Sequence, residues 1–239
     1  VNFFLDAFAW LFAPQRLDPV NGIAARVGEH VVYTILSLVI ASAIAIPAGY
    51  VIGHTGRGRE FAVAMSGAAR ALPSLGLITI LALGLGLGLT PALIVFVVLA
   101  MPSVLAGAYA GLESVDPRTV DAARAVGMTE WQILTKVEIP LGLPLLIGGI
   151  RNGALQVVAT ATLAAYVGLG GLGRYIFHGL AVRDFSEMLG GAILVTVLAL
   201  ALDGVFALLS RAVVPHGVAR RSLPHPRARP PRTPAPSTS

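Results

Sequence analysis

Few residues of this chain are placed for covalent chemistry. Lys136 is its only lysine, and its histidines, His30, His54, His178, His216 and His225, are scattered along the 239 residues. Protein zinc sites draw ligands from short, regular spacings, and none of these intervals provides one. There is no cysteine, so disulfides, thiolate metal sites and thiol nucleophiles are excluded. A phosphate loop needs a glycine-rich turn leading into its lysine, and no such turn precedes Lys136. The chain is therefore not an ATPase. No Gly-x-Ser-x-Gly, His-Glu-x-x-His or paired-carboxylate arrangement stands out, so we expect no catalytic residue, no metal site and no cofactor bound by the chain itself.

The ionisable residues that invite a role lie inside apolar runs instead. Arg70, Arg151 and Asp203 each interrupt a long hydrophobic stretch. Counted from the nearer polar end, they lie roughly 15, 13 and 12 Å deep at 1.5 Å per helical residue. A lone charge at such depth in lipid costs several kcal/mol, so pairing or a wet cavity is expected. Asp203 is the one acid of the three. The spacing predicts that it meets Arg151 or Arg70, within the chain or across a dimer. The plainer alternative is that both arginines snorkel to headgroups and Asp203 faces water.

The elements that carry these residues follow from composition. The chain is 56% hydrophobic and only 12% charged, about half the charged share of a soluble domain. Apolar runs of the length a bilayer requires occur at about 31–52, 61–89, 92–111, 143–167 and 189–211. The second is interrupted by Arg70 and Pro73 and should be a broken helix. Gly84 and Gly88 share a helix face there and read as a close helix contact in lipid. Residues 2–13 are too short to span and read as a helix lying at the interface. The reading is all-α and polytopic, with about five transmembrane helices. Residues 1–30 form an N-terminal segment, 31–212 the membrane domain, and 213–239 a basic tail rich in Arg, Pro and Ser, expected to be disordered.

Loop 53–60, the polar stretch 113–140 and the tail hold about eleven Lys and Arg, against about four in the N-terminal segment and 168–188. By the positive-inside rule the N-terminus lies outside and the C-terminus in the cytoplasm, in a multi-pass plasma (inner) membrane protein. The net charge of +5 sits mostly in the tail, which argues against a nucleic-acid partner and leaves the lipid bilayer as the surface it meets. Six arginines from Arg211 on would each gain roughly 1 kcal/mol against anionic lipid.

The stretch 113–140 is the longest polar interruption. It reads as two short helices around a corner. Asp116 caps the first and Pro117 occupies its first position. Gly127 supplies the left-handed residue that ends it. Thr129 and Gln132 form a capping box for the second, which Pro140 closes. Their apolar faces are too small for a core of their own, so they need a partner surface.

Asp121-Ala122-Ala123, then Gly127, then Val137-x-Ile139-Pro140 resembles the EAA loop of ABC importer permeases. Asp stands for the family's Glu, Val for Ile and Ile for Leu, with Gly and Pro in register. ARALPSLGLITILALGLG and ATATLAAYVGLGGLGRYIFHGL extend the likeness over about 25–212 to permeases for glycine betaine, carnitine, choline and related osmoprotectants, of type I-like fold. The resemblance implies that Asp121, Ala122, Ala123, Gly127, Val137, Ile139 and Pro140 form a cytoplasmic coupling loop that docks on a separate ABC ATPase subunit, which hydrolyses the ATP. It also implies an extracytoplasmic substrate-binding protein and a second permease chain, identical or paralogous. Four glycines, Gly168, Gly170, Gly171 and Gly173, follow the fourth span. They read either as an outer gate or docking surface for the binding protein, or as a tight re-entrant turn. A permease for another amino-acid-like substrate, a secondary transporter working without ATP, and a membrane scaffold remain the alternatives.

Overall fold

The computed structural model describes residues 2–213, which contain helices and no strand. The tail 214–239, with its expected disorder, lies outside the described residues. The helices are α1 (Phe3–Leu11), α2 (Ile23–Thr55), α3 (Arg59–Ala71), α4 (Ser74–Leu85), α5 (Leu89–Glu113), α6 (Pro117–Ala125), α7 (Glu130–Ile133), α8 (Ile139–Ala161), α9 (Gly173–Val182) and α10 (Phe185–Val213). α2, α5, the continuous run from α7 through α8, and α10 are each long and apolar enough to cross a membrane. The remaining apolar stretch, the second in chain order, is the pair α3–α4, bent by 85°. The break falls at Leu72–Pro73, because proline forces its predecessor out of helical geometry.

α5 is the centre. Ala92, Val95, Phe96, Ala100, Val104 and Ala108 are all fully buried along it. α2 and α8 both pack against it and also meet each other. Lipid gives helices no hydrophobic reason to associate, so close backbone approach must supply the contact. Glycines permit it. A Cβ added at Gly107 would lie 2.7 Å from the Cα of Gly149, and one at Gly111 2.7 Å from the carbonyl oxygen of Gly142. Gly49 and Gly53 of α2 meet the α5 backbone in the same way.

This relocates the close contact expected at Gly84 and Gly88. A Cβ at Gly84 would meet nothing within 4 Å, while Gly86 and Gly88 have φ of +86° and +125° and turn the chain from α4 into α5. The run of alternating glycines there makes a turn, a conformation side-chained residues rarely adopt.

The N-terminal helix, read as interfacial, also docks on the helical domain. Ala7 and Trp10 of α1 are buried, Trp10 packing edge-on to Tyr175 at 5.0 Å and against Gly190 of α10. Phe3 meets Phe185 edge-on at 5.9 Å. Phe4, Leu5, Phe8 and Phe12 face outward. Its nine residues present two faces, one docked on α10 and one left apolar and exposed.

Candidate functional site

The polar corner between α5 and α8 folds by its local signals. The Asp116 side chain accepts from the Arg118 N–H at 2.9 Å, with Pro117 next in line. At the far end of α6, Met128 N–H bonds the Ala123 carbonyl and Gly127 N–H bonds that of Arg124. With Gly127 at φ +88°, this is a Schellman closure. Thr129 and Gln132 exchange both bonds of a capping box. Of the resemblance residues here, Asp121 and Ala122 are exposed and Ala123 is buried.

The corner is braced by charge. Arg124 grips Glu130 through two hydrogen bonds of 2.8 and 3.0 Å, and reaches Asp121 at 3.4 Å. The bonds to Glu130, and its charge, hold the Arg124 guanidinium above its ordinary pKa, so it stays a cation. His54, at the end of α2, meets Glu138 at 2.5 Å and Glu130 at 3.5 Å. Glu138 is buried. The first span is thus tied to the corner. Two apolar side chains stay uncovered there, Val126 at 79% exposure and Trp131 at 72%.

Pro140 does not close the second helix. Leu134–Glu138 widen into a π turn and the chain runs on into α8, where Pro140 occupies the first turn. Proline has no N–H to give, and its ring crowds the carbonyl of the preceding turn; the wider turn accommodates both. Val137 and Ile139 therefore lie within one helical run that enters the membrane domain. Movement of α7 has a direct mechanical route into α8.

The glycine segment lies at the opposite end of α8, roughly 35 Å away at 1.5 Å per residue. A short 3-10 stretch, Thr162–Val167, ends at Gly168 with φ +83°. Gly171 also has φ +83°. A Cβ on Gly170 would collide with the Glu29 carboxylate, and one on Gly173 with the backbone of Thr162. The turn is clamped by α2. Glu29 accepts the Gly171 N–H at 2.6 Å, and His30 Nδ1 accepts that of Leu172 at 3.3 Å. His30 Nε2 faces the Val158 carbonyl at 3.0 Å. Arg26, itself buried, holds Glu29 with bonds of 2.9 and 3.1 Å and Asn21 with one of 2.9 Å. Sequence reasoning missed this clamp. Its one signal was three ionisable residues at i, i+3 and i+4 just ahead of an apolar run.

The three charges expected within the membrane separate into a pair and a single. Arg151 Nε and Nη2 donate to the two Asp203 oxygens, each at 2.6 Å. Arg70 makes no ion pair among the described residues. It lines a cavity of about 550 Å³ with Ser74, Ser103, Asn152 and Gln156. No group of His, Asp or Glu among the described residues could hold a metal ion.

The described residues offer a helical membrane domain, an exposed corner continuous with a span, and a polar cavity beside that span. Residues 45–216 match the family of binding-protein-dependent transport system inner membrane components. The chain belongs to this family. It is a transport permease, not an enzyme. A glycine betaine/carnitine/choline transport system permease of Bacillus subtilis is 32% identical over 193 residues, which cover 81% of this chain and 89% of that one. An osmoprotectant import permease of Salmonella typhimurium is 31% identical over 217 residues, covering 90% and 92%. In fold, the permease resembles a chain of the MetNI methionine ABC transporter in an inward-facing conformation, with a TM-score of 0.71 at 23% identity, over 81% of this chain and 96% of that one.

Proposed function

We propose that the permease imports quaternary ammonium osmoprotectants of the glycine betaine, carnitine and choline class, powered by ATP hydrolysed on a separate ATPase subunit. The observation that carries this reading is the α6–α7 corner. It is braced by caps and ion pairs, continuous with α8, and leaves Val126 and Trp131 uncovered. Exposed aromatic anchors of this kind are the usual centres of protein interfaces. The substrate class comes from the permeases it resembles. In this reading ATP-driven closure of the ATPases pushes α7, the continuous helix passes the push into α8, and the path between two permease chains opens. A binding protein delivers substrate at the glycine-turn end. The permease contributes positioning and a path, with no covalent step. The N-terminus lies outside and the coupling corner in the cytoplasm of a plasma-membrane protein, as the distribution of basic residues favours.

The test is uptake of radiolabelled glycine betaine, carnitine and choline into proteoliposomes holding the permease with its ATPase and binding protein. ATP-dependent uptake of at least one supports the reading. Uptake that persists without the ATPase overturns it in favour of a secondary transporter. Uptake of an unrelated amino acid alone moves the substrate class.

A further inference from the structure

The cavity beside α8 holds one charge, and its sign bears on what passes. Ser103 lies midway along α5, and Asn152 and Gln156 sit one turn apart on the same face of α8. Arg70 reaches the cavity from the end of α3, and Ser74 from the start of α4, across the 85° break. Arg70, Asn152 and Gln156 are all exposed in the single chain, so this is a face that a path would use. A second, smaller cavity continues from Arg70, Ser103 and Asn152 toward Ala110 and Leu145, at the coupling end of the α5–α8 groove. Among the described residues, no carboxylate and no aromatic ring lines either cavity. The nearby acid within the span, Asp203, is already committed to Arg151 on another side of α8.

Among the described residues, a cation therefore faces the groove with no acid lining it. Ionisable residues within membrane domains face the bundle interior or a water-filled cavity and mark ion or substrate paths. Guanidinium donates two parallel hydrogen bonds to the two oxygens of a carboxylate, and amide N–H and hydroxyl groups can donate to the lone pairs left over. A ligand that is only a cation would be repelled there, and it would find no aromatic face for a cation–π contact.

We propose that Arg70, with Asn152 and Gln156, forms a carboxylate-binding station in the translocation path, which selects zwitterionic substrates carrying a carboxylate, such as glycine betaine or carnitine, over the simple cation choline. This inference rests on the osmoprotectant reading above and narrows it.

The experiment uses the complete transporter in proteoliposomes. Binding protein saturated with glycine betaine, carnitine or choline is supplied in turn, so that its own affinity drops out of the comparison. Arg70→Gln should lower import of the carboxylated substrates at least about tenfold, the scale of a lost charge-assisted hydrogen bond. Choline import should be unchanged or raised. Arg70→Lys, which keeps the charge, should retain more carboxylate import than Arg70→Gln, and so controls for misfolding. Equal loss of all three substrates in Arg70→Gln with full ATPase binding, or no loss of any, overturns the inference. A wild-type complex that imports choline and neither carboxylated substrate also overturns it while leaving the permease reading intact. A wild-type complex that imports none of the three refutes the osmoprotectant reading itself, and this inference with it.

Discussion

Replacing Glu29 by alanine strips the glycine turn of its clamp. The Glu29 carboxylate takes two bonds from Arg26 and one from the Gly171 N–H. Without it, Arg26 is left buried with only Asn21, and a main-chain donor is orphaned. A hydrogen bond to a charged group contributes about 1.5–3 kcal/mol net. Glu29 keeps 37% of its side chain exposed, so the lower end applies to each of its two partners. The sum is about 3 kcal/mol. For a chain of this size that lowers the melting temperature by about 6–12 °C. Gly170→Ala should do nearly the same by another route. Its Cβ would displace the carboxylate from the position where it serves Arg26 and Gly171. In a Glu29→Ala background that collision disappears, so the double variant should melt no lower than Glu29→Ala alone. The assay is thermal unfolding of the detergent-solubilised protein, followed by size-exclusion of the surviving fraction. A fall of less than about 2 °C for Glu29→Ala, or fully additive losses in the double variant, would refute the clamp.

Further outcomes follow from the same geometry. Gly127→Val places a branched residue at φ +88°, so substrate-stimulated ATP hydrolysis in the assembled complex should drop several-fold with the protein still inserted; normal stimulation would count against the corner's role. Asp203→Asn leaves Arg151 without its bidentate partner and should shorten the protein's lifetime in detergent, with Asp203→Asn/Arg151→Gln regaining part of it; an unchanged lifetime in the single variant would mean the pair is not structural. Gly111→Leu drives a side chain into the Gly142 backbone and should prevent stable folding, which recovery of a monodisperse protein at wild-type yield would contradict.

What the sequence disclosed, and what it withheld, divides along the range of the forces involved. Asp116, Gly127, Thr129 and Gln132 act within a turn or two, and their caps were legible from spacing alone. The break at Pro73 was legible for the same reason. The partner expected for Asp203 came from a global constraint, the cost of a charge in lipid, and the structure selects Arg151 over Arg70. Pro140 misled because a proline ends a helix only when the preceding turn cannot widen, and the π turn at 134–138 does widen. Gly84 and Gly88 misled because a glycine repeat fits a turn as well as a helix contact; only the facing helix distinguishes them. The clamp of Arg26, Glu29 and His30 on the glycine turn joins residues more than 120 positions apart, and the local i, i+3, i+4 pattern does not say what they meet.

The account turns on the α6–α7 corner meeting the ATPase. The chain has no cysteine, so Trp131→Cys introduces a unique thiol on the exposed face of the corner. In the assembled transporter a short bifunctional reagent should join this thiol to the ATPase subunit, and ATP binding should change the yield. Phe12→Cys, at the opposite end of the molecule, should give no such product. Absence of a cross-link from position 131 in a complex that still imports substrate, or an equal yield from position 12, would contradict the account.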